Sequence, residues 1–270
     1  RDPPLLSTIP MTLLNPHDSF QEKMLSNTVR RCCKTRTFKA IIASACLATP
    51  FPALAEDQPI SPAETALFVT DHLKGISGQQ TLHYSFDKKG SLEAPAHDDI
   101  SIVVGPSPNG NGHKVDTKCA MGGQTIPVES IDSALGNPVI QCFLERDLLE
   151  MNRLTTTPKA KGGSTYFFRR RIRLALAESA EIKDIEATFD GKKIPAREIR
   201  IAPYAKDPER VRDNFKRFAD KIYVFQVSDA VPGGVVKLGT VIPDSEKQDA
   251  PALIEESVVL SRLEPKGKAK

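Results

Sequence analysis

The chain lacks the short motifs that mark common enzyme chemistries. It has no G-x-S-x-G nucleophile elbow ("GPSPN" at 105–109 fails at its last position), no H-E-x-x-H metal helix and no phosphate-binding loop. Histidine is scarce beyond residue 55, where only His72, His83, His97 and His113 occur. Cysteine is scarcer still. Of five in the sequence, only Cys119 and Cys142 lie beyond residue 55, and no C-x-x-C is among them. No apolar run reaches the roughly 20 residues that a spanning helix needs, which argues against a transmembrane anchor. These absences weigh against the familiar hydrolases, zinc proteases, nucleotide-binding enzymes and dithiol oxidoreductases.

What is present starts with an address. From Met24 the sequence reads "MLSNTVRRCCKTRTFKAIIASACLATPFPALAED". Arg30, Arg31, Lys34, Arg36 and Lys39 form a basic region without an acid, and residues 40–54 are mostly small and apolar. Ala53-Leu54-Ala55 is an A-x-A site followed by Glu56-Asp57. That order is the pattern of a secretory signal peptide, so cleavage is expected between Ala55 and Glu56 and the destination is the periplasm or the exterior. Arg30-Arg31 lacks the residues that complete a twin-arginine signal, and lipidation of Cys46 would leave an apolar segment of only "AIIASA". Residues 1–23 read as an upstream extension, 24–55 as the signal peptide, 56–264 as one mature domain and 265–270 as a polar tail.

Removing the leader changes the charge. It carries seven of the 37 Lys and Arg and three of the 34 Asp and Glu, so the mature chain holds 30 against 31. The basic character belongs to the address. A nucleic-acid-binding domain is usually net basic, and this one is not. The mature length of 215 residues suits one domain with a sizeable core. Two cysteines in an oxidising compartment point to a Cys119–Cys142 disulfide, although two separate buried thiols are the alternative.

The element pattern is strands, then helices, then strands. Ser61-Pro62-Ala63-Glu64 is a capping box with proline at the first helical position, so a helix is expected over 62–74. "TLHYSF", "DISIVV" and "HKVDTK" alternate as strands, with Leu82, Tyr84 and Phe86 on one face, and "TIPVES" is a further candidate. Asn137-Pro138 opens a helix with Ile140, Leu144, Leu148 and Met151 at helical spacing. Ser164 or Thr165 opens another, running to about Ser179. A hairpin turning at Asp190-Gly191, a second around Pro232-Gly233-Gly234 and a last strand over 253–263 complete the chain. The fold class expected is α+β, with a curved antiparallel sheet of about 7–9 strands packed on two to four helices.

Two clusters are candidates for function. His97-Asp98-Asp99 resembles a small metal or acid/base set, but neighbours on a strand alternate faces and a polar loop end is the plainer reading. The stretch "STYFFRRRIRLALAE" holds Arg169, Arg170, Arg171 and Arg173. On a helix, Phe168, Ile172, Ala175 and Leu176 share a core arc, while Arg169, Arg170 and Arg173 face water or anionic groups. Arg171 falls between Phe167 and Leu174. It therefore needs a carboxylate partner if buried, with Glu145, Asp147 and Glu178 as candidates. No metal site and no cofactor is expected.

"LHYSFDKKGSLEAPAHDDISIVV", "NPVIQCFLERDLLEMNRL", "YFFRRRIRLALAE" and "KIYVFQVSDAVPGGVVKLGTVIP" resemble segments of exported periplasmic proteins of proteobacteria. The order of strands around a helical insert is similar to that of the half-barrel periplasmic lipoprotein carriers. That resemblance implies a sheet wrapped around a lipid-sized apolar cavity. The reading that results is a non-enzymatic envelope protein binding an apolar or amphiphilic ligand, or an envelope partner. Phe168, Ile172, Leu176, Tyr84 and Phe86 would form its core or pocket, and the arginines would meet anions. The alternatives are a hydrolase using His97, Asp98 and Asp99, and an assembly factor offering the basic helix 165–179 to an acidic partner.

Overall fold

The computed structural model describes residues 59–265 apart from 127, 246, 248 and 249. The expected signal peptide, Cys46, the Ala55-Glu56 junction and most of the tail lie outside the described residues.

The strands are β1 (Gln80–Lys89), β2 (Ala96–Pro106), β3 (His113–Met121), β4 (Gln124–Ile126), β5 (Ile131–Ala134), β6 (Glu181–Phe189), β7 (Lys192–Ile201), β8 (Ile222–Val227), β9 (Val235–Ile242) and β10 (Ile254–Pro265). They form one open antiparallel sheet in the order β4-β3-β2-β1-β10-β9-β8-β7-β6, with β5 pairing β3. The α+β class holds, and the ten strands include β5, which the sequence did not signal. β10 is the last strand of the chain yet pairs β1 and β9, so the two halves of the sheet join through the C-terminus.

Period-2 alternation selects the covered face. Leu82, Tyr84 and Phe86 of β1 are 0–3 % exposed, as are Ile100, Ile102 and Val104 of β2 and Tyr223 and Phe225 of β8. Burying each such side chain contributes about 1.5–3 kcal/mol relative to leaving it in water. The Asp190-Gly191 turn has φ of 50° and 71°, the left-handed pair that a two-residue hairpin requires.

The helices are α1 (Pro62–Glu64), α2 (Val139–Thr155) and α3 (Thr165–Glu178). Both parts of the capping box at Ser61 and Glu64 form. The helix does not reach residue 74, however. It widens into a π turn over Thr65–Val69 and stops at Thr70. Polar side chains take over from the helical backbone there. Thr70 donates its hydroxyl to the Thr65 carbonyl, Asp71 accepts from the Leu73 amide, and the buried His72 ring folds back to within 2.8 Å of the Ala66 carbonyl.

Asn137 does more than start α2. Its carboxamide oxygen accepts from the Val139 amide at 3.0 Å, while its amide nitrogen donates to the Tyr84 hydroxyl and the Gly233 carbonyl, both at 2.7 Å. Gly233 has φ 79°, and a Cβ there would stand 2.8 Å from that amide, so the β8–β9 loop closes on α2 only with glycine at this position. The expected disulfide Cys119–Cys142 is present and ties β3 to the first turns of α2. α3 is capped by Ser164 and buries Phe168, Ile172, Ala175 and Leu176, the arc its sequence defines.

Candidate functional site

The start of α3 borders a cavity of about 380 Å³ lined by Phe167, Phe168 and Phe215 together with Lys161, Arg171, Arg212 and Asn214. The three rings form an aromatic floor, with centroids 5.2 to 6.2 Å apart. The loop from α2 to α3 closes one wall because Gly162 and Gly163 carry no side chain. A Cβ on Gly163 would come within 2.5 Å of the Phe168 ring, and one on Gly162 within 2.7 Å of the Asn152 carbonyl. Asn214 holds the loop from the other side by donating to the carbonyls of Thr155 and Lys161.

Arg171 is the pivot of this cavity. Its guanidinium lies 5.2 Å over the Phe167 ring and its Nε is ion-paired with Asp207. None of the three candidate partners takes that role. Glu145 instead accepts from Arg169 through both carboxylate oxygens at 2.8 Å. Asp147 is buried beneath the sheet-facing side of α2, and Glu178 is exposed at the far end of α3. Asp207 was missed because it lies in the loop after β7, and only tertiary packing brings it to α3. The Asp207 side chain is almost fully buried and also accepts from the Glu209 amide at 2.8 Å. Among the described residues, the terminal nitrogens of Arg171 make no hydrogen bond, although its side chain lines the cavity and is 29 % exposed. Arg212, at the rim, pairs with Glu209 at 2.5 Å. The site thus combines an aromatic surface with Lys161, Arg171 and Arg212, the last neutralised by Glu209 in the same lining, and the guanidinium of Arg171 suits an acidic group with an apolar tail.

The remaining arginines divide. Arg170 and Arg173 are exposed and have no ion-pair partner among the described residues, and Tyr166 beside them is 70 % exposed. Two arginines, not three, therefore make up the wet face.

The strand cluster is split by its own geometry. His97 is exposed, with Nδ1 2.9 Å from Asp87 Oδ1 and Nε2 3.8 Å from Asp99. Its hydrogen bond to Asp87 raises the imidazole pKa. Asp98 points the other way, into the protein. It accepts from the Gly122 and Gly123 amides at 3.0 and 2.9 Å and from Arg146 at 3.1 Å. Burial opposes the Asp98 charge, but these donors outweigh it and hold the carboxyl below its ordinary range. The three residues do not converge on one point.

A polar layer between α2 and the sheet was not anticipated. Arg146 lies 3.7 Å over the Phe86 ring. Asp147 meets Lys221, which precedes β8, and accepts from the Tyr223 hydroxyl at 2.5 Å. Glu256 of β10 stands 3.8 Å from Lys221 and accepts from Thr240 at 3.0 Å. Glu150 accepts from Arg153 and Lys88, and those two also bind Glu93. Burial pushes Glu150 up, but the paired cations override it and bring its pKa down to about 2. A signal existed in the sequence. Asp147 and Glu150 lie four and seven residues after Phe143, on the same stripe as the apolar positions.

Tyr84, Phe86, Phe168, Ile172 and Leu176 are 0–3 % exposed. They are buried core residues, and Phe168 also lines the cavity at the start of α3. Among the described residues, no helix is long and apolar enough to cross a membrane, and no group of three or more His, Cys, Asp or Glu is placed to hold a metal ion.

No protein-family model matches the chain, and no curated protein does. Several solved structures are similar to it, two among them at 9–10 % identity. One is a domain from Vibrio parahaemolyticus described as an outer membrane lipoprotein-sorting protein. It is 10 % identical, with 69 % of this chain and 84 % of that chain covered and a TM-score of 0.20. The other is a LolA superfamily protein from Nitrosomonas europaea, 9 % identical, with 77 % of this chain and 94 % of that chain covered and a TM-score of 0.19.

Proposed function

We propose that the protein is an exported, non-enzymatic component of the bacterial envelope that binds a small amphiphile with an acidic head in the cavity at the start of α3. The observation that carries this reading is Arg171, whose charge is balanced by a buried carboxylate while its terminal donors stay unspent beside three aromatic rings. A cavity of about 380 Å³ falls in the range of small-ligand sites, roughly 300–1,000 Å³. It suits one short acyl or aromatic tail. The signal-peptide pattern supports export, and a disulfide is at home in an oxidising compartment.

Titration calorimetry with dodecyl phosphate and with dodecanol tests the reading. The phosphate is expected to bind saturably and the alcohol much more weakly. Arg171→Lys keeps the charge beside Asp207 but loses the fork, and weakens binding about tenfold, or 1.4 kcal/mol. Absence of saturable phosphate binding to the folded protein would refute the site. A mature N-terminus other than Glu56 would refute the cleavage position.

A second reading rests on Arg170, Arg173 and Tyr166, which stand exposed on α3. They would meet acidic groups of an envelope partner. Reversing Arg170 and Arg173 to Glu would abolish that contact and leave dodecyl phosphate binding intact.

A further inference from the structure

Lys221 has no exposed surface, and its Nζ touches Asp147 Oδ1 on α2, a residue 2 % exposed. Glu256 Oε2 lies 3.8 Å from the same Nζ. The other Asp147 oxygen accepts from the Tyr223 hydroxyl at 2.5 Å, and Tyr204 lies 2.9 Å behind that hydroxyl. Phe225 stacks on Tyr223, and Phe143 meets Phe225 edge-on. An amine, a carboxyl and a second carboxyl thus share a buried enclosure beside aromatic rings. One lysine faces two acids. Burial raises the pKa of Glu256 despite the opposing charge of Lys221, so this carboxyl takes up a proton more readily than a free one.

We propose that Lys221 and Asp147 condense within the folded chain to form an intramolecular amide, with Glu256 as proton shuttle. A proton passes from the Lys221 ammonium to Asp147, and the contact between them is the path for it. The neutral Nζ then attacks Cγ of the protonated Asp147, forming the Nζ–Cγ bond. Tyr223 donates to the oxygen that becomes the amide carbonyl. Glu256, 3.8 Å from Nζ, takes a proton from it and passes that proton to the departing hydroxyl, so the Cγ–O bond breaks, one water leaves and Glu256 returns to its starting state. No oxidant, cofactor or metal enters the balance. Fixed proximity supplies the effective concentration, and exclusion of water disfavours the reverse hydrolysis. The linkage would join α2 to the sheet across 74 residues of chain. Cys119–Cys142 already ties the same helix to β3, so the first half of α2 would be held covalently at two points five residues apart.

The intact mass of the purified, folded protein after disulfide reduction tests this. The expected result is a mass about 18 Da below that of the sequence, one water lost. Tandem mass spectrometry of a digest is expected to find a branched peptide joining the segments that contain Asp147 and Lys221. Glu256→Gln and Lys221→Arg are both expected to keep the full mass. Wild-type protein at full mass after prolonged incubation would overturn the proposal. So would loss of water from Glu256→Gln at the same rate, or its assignment to the Asp190-Gly191 turn or to a cyclised N-terminus. The branched peptide is read directly on the wild type, so a variant that fails to fold does not blunt the test. None of these outcomes depends on ligand binding at α3.

Discussion

α2 and α3 are helices of similar length, each mixing charged with apolar residues, and they solve the mixture in opposite ways. α3 turns Phe168, Ile172, Ala175 and Leu176 inward and leaves Arg170 and Arg173 in water. α2 buries Arg146, Asp147 and Glu150 beside Phe143 and Leu148. Charge at Arg170 and Arg173 costs almost nothing because it stays solvated. Charge on α2 is tolerable only because each buried group meets an opposite one or a hydrogen bond from a strand: Arg146 with Asp98, Asp147 with Lys221, and Glu150 with Lys88 and Arg153. A buried pair of this kind adds little net stability but is expensive to break from one side, so it makes the seating of the helix specific.

The contrast can be broken experimentally, and the largest effect is expected at its centre. Lys221→Met strands Asp147 and Glu256 without their partner, ionic or covalent, and should destabilise by about 3–5 kcal/mol in urea unfolding. A small change would show that the layer is not held by Lys221. Replacing Cys119 and Cys142 together with serine should cost about 2–4 kcal/mol, and reductant should reproduce the loss in the wild type.

Acid offers a gentler probe. The folded pKa of Glu150 lies near 2, below its ordinary value of 4.5. Its contribution to stability is therefore complete above about pH 4.5 and fades as pH falls towards 2. Urea midpoints measured across that window should decline, and Glu150→Gln should flatten this part of the decline. The smallest effects belong to α3. Arg170→Ala and Arg173→Ala should each shift stability by less than about 0.5 kcal/mol. A larger loss would mean that the exposed face has a structural partner.

Much of the architecture was legible locally. The capping box at Ser61, the Asp190-Gly191 turn, the alternation in β1 and the inward arc of α3 are all read within a dozen residues, because backbone geometry and side-chain period act over that distance. Their outcomes match the sequence, apart from the early end of α1, where Thr70, Asp71 and His72 bond to the backbone in place of another helical turn. The site was legible only in part. Arg171 stood out by its position between Phe167 and Leu174, but its partner Asp207 is 36 residues away along the chain. Asp147 was visible on an apolar stripe, but a lone acid there has no meaning until Lys221, just before β8, and Glu256, on β10, lie beside it.

The sequence alone determined the export pattern, the near-neutral charge beyond it, the order of strands and helices and the face α3 would bury. These depend on composition and short periods, which need no knowledge of contacts. Tertiary structure decided which charges are buried together, which aromatic residues are shut away from water, and that the arginine helix borders a cavity. Those facts depend on strands far apart in the chain lying side by side, with β10 joining β1 to β9. Only that juxtaposition fixes whether a charged side chain meets water, a partner or another chain segment.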